Sequence, residues 1–112
     1  MHVNIKGVLN RTKIVTSFDY SSYIVLDLDD LSITDENENE IYLDDDDAVT
    51  AWPSDMKFIE NFSLRKVSLL DVEEVNSIIC SIFLRKKVLI SATTRDDENG
   101  TRFYMAKEII LF

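Results

Sequence analysis

Ser68 to Leu84, SLLDVEEVNSIICSIFL, is the stretch on which the fold class turns. Val72, Val75, Ile78, Ile79, Ile82 and Phe83 recur at steps of three and four, the spacing that gathers side chains on one face of a helix. Asp71, Glu73 and Glu74 stand near its start, and Arg85, Lys86 and Lys87 follow its end. That order complements the helix dipole. The β-branched content of SIICSIF speaks for a strand instead. Spacing and charge order together predict one principal helix over about residues 69–84.

Around that helix the chain reads as strands. Val3, Ile5 and Leu9 alternate with Asn4 and Lys6, with Gly7 placed for a bulge. Asn10-Arg11 reads as a tight turn, and Lys13 to Phe18 as the second arm of a hairpin. Tyr23 to Leu28 is a strand that Leu31 and Ile33 extend past an irregularity at Asp29-Asp30. Asp35 to Asn39 is a polar turn, Glu40 to Leu43 a short returning strand, and Asp44 to Asp47 an exposed loop. The residue before a proline prefers extended backbone, so Trp52 anchors a loop onto the core. Residues 56–67 read equally as strand or helix. Val88 to Thr94 is a strand, and Asn99-Gly100 marks the hairpin turn that leads into Thr101 to Leu111. In that last strand Phe103, Met105, Ile109 and Leu111 are expected on the inner side, with a bulge or an edge position where Lys107 breaks the alternation. The expected fold is α+β: a mostly antiparallel sheet with the helix packed on one face. At 112 residues, with 46% hydrophobic residues, a single domain over 1–112 is expected.

Charge is distributed unevenly. The net charge is −9, yet no Lys or Arg occurs from Ile14 to Met56, a stretch that holds thirteen carboxylates. The middle third therefore carries the excess. Concentrated charge of one sign repels itself and speeds encounter with an oppositely charged partner. It argues against polyanions as ligands, so no direct nucleic-acid binding and no membrane association are expected.

Chemistry-bearing motifs are few. Two glycines in unrelated places cannot cradle a phosphate. The one histidine, His2, sits at a chain end, where a fixed general base is not expected. The lone cysteine, Cys80, lies among Ile78, Ile79, Ile82 and Phe83 and reads as a small apolar residue. Asp35-x-Asn37-x-Asn39 matches the opening of an EF-hand loop, but Glu40 stands where the turn glycine belongs and Asp46 where the bidentate glutamate belongs. No catalytic residue, cofactor or metal is expected, and the chain reads as a binding protein rather than an enzyme. The opening residues lack a basic segment followed by an apolar one, which predicts a cytoplasmic location.

In its size, its acidic block and its lack of catalytic motifs, the chain resembles the small acidic immunity proteins of bacterial toxin systems, including contact-dependent inhibition systems. The resemblance implies a cognate toxin with a basic surface, often a nuclease, whose cationic cleft is blocked by carboxylates. Asp27, Asp29, Asp30, Glu36, Glu38, Glu40, Asp44, Asp45, Asp46 and Asp47 would then supply attraction. Tyr42, Trp52 and Tyr23 would be the energetic anchors, because aromatic residues dominate binding hot spots. Two alternatives are a DNA-mimic inhibitor of a phage-defence enzyme and a small structural subunit that pairs through its C-terminal strand.

Overall fold

The structure, a computed structural model, describes residues 1–16, 21–44, 46–53 and 71–112. Its first strand, β1 (His2–Thr16), runs without a break through Asn10-Arg11, so the expected N-terminal hairpin does not form. Asn-Arg has no glycine to take the left-handed backbone that a two-residue hairpin turn needs. Register shifts between Lys6 and Val8 and between Leu9 and Arg11 bend the strand instead. β2 (Ser22–Asp35) pairs antiparallel with β1, from Thr16↔Ser22 to Val3↔Asp35. It does continue past Asp29-Asp30, where Asp30 takes φ 54°.

β3 (Glu40–Ile41) is a two-residue edge on β2. β4 (Ala48–Ala51) and α1 (Val72–Phe83) follow, then β5 (Lys87–Asp96) and β6 (Arg102–Leu111). The first half of β1 pairs with β5, β5 with β6, and β6 in parallel with β4. β4 pairs with β2, which returns to β1. Among the described residues, five strands thus close on themselves in the order β1-β5-β6-β4-β2, with β3 appended. This is the arrangement of an OB fold, a five-stranded Greek-key barrel.

The expected α+β sheet is therefore corrected to a mostly β, closed barrel with, among the described residues, one short helix. A barrel covers its inner face with its own strands. Val3, Ile5, Ile24, Ile33, Ile90, Tyr104 and Ile109 fill the core, each at most 2% exposed. The helix forms inside the span its periodicity predicts. Asp71 caps it, its carboxylate accepting the Glu74 backbone N–H at 2.8 Å. Val75, Ile79 and Phe83 join the core, and the helix packs against β1 and β2 instead of roofing a sheet. Local pattern announces strands, but closure depends on pairings between distant segments.

Lys107 is the extra residue in β6, since Ala106 pairs with Ala92 and Glu108 with Ser91. Of the two expectations, bulge or edge position, the bulge is what forms, and it inverts the phase of the strand. Ile109 and Tyr104 both face the core, so Phe103 and Met105 lie on the outer side, contrary to expectation. The DDENG turn forms as expected, with the Asp97 carboxylate accepting the Asn99 and Thr101 amides at 2.9 Å each and Gly100 at φ 80°. Residues 56–67 and the Ser17-Phe18 end of the expected second strand lie outside the described residues. Among the described residues no helix is long and apolar enough to cross a membrane.

Candidate functional site

On β2 the buried Ile24 and Leu26 alternate with Tyr23, Val25 and Asp27, which face outward. The register Ile24↔Ala51 and Val25↔Thr50 brings Tyr23 beside Trp52. Their rings stack with centroids 4.4 Å apart and planes 21° from parallel. Phe103, supplied by β6, meets Tyr23 edge-on at 6.2 Å and 77°. Both geometries are favourable for aromatic pairs. The Trp52 indole N–H donates to the Thr50 hydroxyl at 2.9 Å, and that buried hydroxyl donates to the Tyr104 carbonyl at 3.3 Å. The indole is thus tied to the barrel wall.

These rings line an open cavity of about 400 Å³, together with Met105, Arg95 and the acids Asp96, Asp97 and Glu98. The charged groups there differ in availability. Asp96 accepts Arg102 Nε at 2.9 Å, which holds that guanidinium above its ordinary pKa. Asp97 is occupied by its own turn. Arg95 lies opposite Phe103 across the β5–β6 ladder and is exposed. Neither Arg95 nor Glu98 has an ion-pair partner among the described residues.

β2 and β4 pair over two residues and then separate, which opens a second groove of about 560 Å³. Arg11, Lys13, Val25, Asp27, Leu43 and Asp47 are among its walls. Arg11 Nε donates to Asp27 at 2.6 Å, but the pair is exposed and its net contribution small. Lys13 stands exposed opposite Val25. Tyr23, Val25 and Asp27 share one side of β2, so the aromatic cavity and this groove open on the same side of the barrel.

The acidic residues expected to form one docking face are divided among several places. Asp27 and Asp47 line the groove just described. Asp47 is a tie between segments: its carboxylate accepts the Arg102 amide at 3.1 Å and the Asp44 amide at 3.2 Å. Asp29 and Asp30 are exposed at the irregularity of β2. Glu36 and Glu38 belong to the β2–β3 turn. Glu40 accepts the Tyr42 hydroxyl at 2.9 Å, and that hydrogen bond, followed by the carboxylate's charge, raises the phenol's pKa. Tyr42 is 80% exposed. Asp46 is exposed, and Asp45 lies outside the described residues. Of the expected anchors, Trp52 and Tyr23 do meet, in the aromatic cavity. Among the described residues no group of three His, Cys, Asp or Glu side chains is placed to hold a metal ion.

Phe103, Met105, Arg95, Glu98 and Lys13 were not singled out by the sequence reading. For Phe103 a signal existed. Once Lys107 is taken as an extra residue, the inner face of Ile109 continues through Ala106 and Tyr104, which leaves Phe103 outside.

No protein-family model matches the chain, and no curated protein sequence does. Among solved structures it is similar to two crystal structures of the mitochondrial single-stranded DNA binding protein Rim1 from S. cerevisiae. One superposes with a TM-score of 0.57 at 11% identity, covering 100% of this chain and 95% of the other. The second gives 0.52 at 13% identity, covering 100% and 93%. This finding corrects the reading of an immunity protein that blocks a basic toxin, along with its alternatives of a DNA mimic and a structural subunit. It also corrects the exclusion of nucleic acid, which rested on net charge. A whole-chain sum does not say where charge lies, and the outward side of β2 carries stacked rings, Arg11, Lys13 and Arg95 beside its acids. At these identities the likeness establishes the fold alone, an OB-type barrel.

Proposed function

We propose that the chain is a cytoplasmic, non-catalytic binder of single-stranded nucleic acid. OB folds take oligonucleotides on the face of their second and third barrel strands and on the flanking loops. The corresponding elements here are β2 and β4, with the β1–β2 and β5–β6 connections. The observation that carries the reading is the Tyr23–Trp52 stack with Phe103 against it, placed on that face over an open cavity. Unpaired bases stack on such rings, each contributing roughly 1–3 kcal/mol. The fold shared with single-stranded DNA binding proteins supports the same reading.

The net charge of −9 opposes a polyanion, and magnitudes decide whether it prevents binding. Exposed charges are screened beyond about 8–10 Å. Carboxylates of the β2–β3 turn therefore act weakly on a strand lying across the rings. Among the described residues, Arg11, Lys13 and Arg95 are the cations lining the two cavities on the binding side. Affinity then rests on stacking more than on phosphate neutralisation.

The test is fluorescence anisotropy with a labelled oligothymidylate of about twelve nucleotides, within the ~4–16 that an OB fold spans. Wild type binds it. Tyr23→Ala, Trp52→Ala and Phe103→Ala each weaken binding by about tenfold, while a duplex of equal length binds at least tenfold more weakly than the single strand. Unchanged affinity in all three variants would overturn the proposal.

A further inference from the structure

Glu98 occupies an unusual place for a carboxylate if the cavity only holds a polyanion. It lines the aromatic cavity beside Tyr23, Trp52 and Phe103. Its two acidic neighbours in the β5–β6 connection are engaged, Asp96 with Arg102 and Asp97 with its own turn. Glu98 has no such partner among the described residues. An ionised carboxylate only accepts hydrogen bonds, and its two oxygens suit a pair of adjacent donors. It repels phosphate and selects whatever on the ligand presents N–H groups.

Base edges present those groups unequally. On its Watson–Crick edge guanine carries N1–H and the 2-amino group side by side, a matched pair for one carboxylate. Adenine and cytosine each offer one amino group next to a ring acceptor. Thymine offers one N–H flanked by two carbonyl oxygens, which a carboxylate avoids. We propose that Glu98 reads guanine in the base that stacks on Tyr23 and Trp52, so that the site takes guanine-bearing single strands in preference to oligothymidylate. The inference rests on the single-strand reading above. Arg95, exposed on the same cavity, then takes the adjoining phosphate. Base edge and backbone are thereby sorted to opposite charges within one pocket.

Anisotropy titrations of the full chain test this with three labelled probes of equal length: oligothymidylate, the same strand with alternate guanines, and that strand with hypoxanthine replacing guanine. Hypoxanthine lacks the 2-amino donor and keeps N1–H. Wild type is expected to bind the guanine strand about tenfold more tightly than oligothymidylate, with the hypoxanthine strand between them. Glu98→Gln should bring the ratio of guanine to thymine affinity close to unity. Equal affinity of wild type for the guanine and thymine strands overturns the inference and leaves the single-strand reading standing. So does a guanine preference that survives Glu98→Gln. Failure of all three strands to bind overturns both.

Discussion

The indole N–H of Trp52 and the hydroxyl of Thr50 are joined at 2.9 Å, two residues apart on one edge of the barrel. Thr50 is fully buried and passes the restraint on to the Tyr104 carbonyl of β6. One small hydroxyl therefore sets the plane of the ring that Tyr23 stacks on. Thr50→Val keeps the shape and deletes both bonds, at a cost of about 1–3 kcal/mol. We expect a lower steady-state anisotropy of Trp52 emission, together with several-fold weaker single-strand binding. Trp52 is the only tryptophan, so the signal is unambiguous.

Asp47 is an acid whose negative charge is used inside the fold. It joins the segment before β4 to the start of β6 through the Arg102 amide and holds Asp44 beside it. Hydrogen bonds to a charged group contribute about 1.5–3 kcal/mol, so Asp47→Ala should lower unfolding stability by roughly that much. Asp46→Asn, at an exposed position, should leave stability unchanged or raise it slightly by relieving repulsion. Urea unfolding of the two variants separates them.

Gly7 lies where β1 crosses the irregular part of β2. A Cβ there would stand 2.9 Å from the Asp29 carbonyl oxygen and 3.2 Å from the Leu28 Cβ. Backbone cannot yield as a side-chain end can. Gly7→Ala is expected to destabilise the barrel by about 1–3 kcal/mol, read as a lowered urea midpoint.

Asp35 shapes the β2–β3 turn by accepting the Asn39 and Asn37 amides at 2.9 and 2.8 Å. The Asn39 amide above all, with Asn37 adding to it, holds its pKa below the ordinary 3.8 against the opposing effect of desolvation. A depressed carboxylate pKa stabilises the fold above the unfolded value and loses that effect as pH falls through the folded value. Asp35→Asn should therefore reduce stability at neutral pH and flatten the loss of stability below about pH 4. Thermal unfolding at pH 7 and pH 3 measures both.

The elements that depend on neighbouring residues were legible in the sequence. The helix declares itself by the spacing of Val75, Ile79 and Phe83, the β2–β3 turn by Asp35 to Asn39, and the last hairpin by Asn99-Gly100. A bulge or an edge position at Lys107 was legible too, but the choice between them, which turns Phe103 outward, depends on the pairing with β5. What could not be read locally was closure. Nothing near Ala48 to Thr50 states that it pairs in parallel with Phe103 to Met105, some fifty residues away, yet that pairing turns a sheet into a barrel. The site suffers from the same dependence. Tyr23 and Phe103 come from β2 and β6 and Trp52 from the residue after β4, and they meet only because the barrel closes. The acidic block was the loudest feature of the chain, but charge counted along a sequence does not give charge on a face.

The most direct measurement is the emission of Trp52 during titration with oligothymidylate at several salt concentrations. Stacking of a base on the Tyr23–Trp52 pair predicts saturable quenching. With three cations on the binding side among the described residues, log affinity should fall against log salt with a slope of about −2. An emission that stays constant through saturating oligonucleotide at low salt, with no anisotropy change of the labelled strand, would contradict the account.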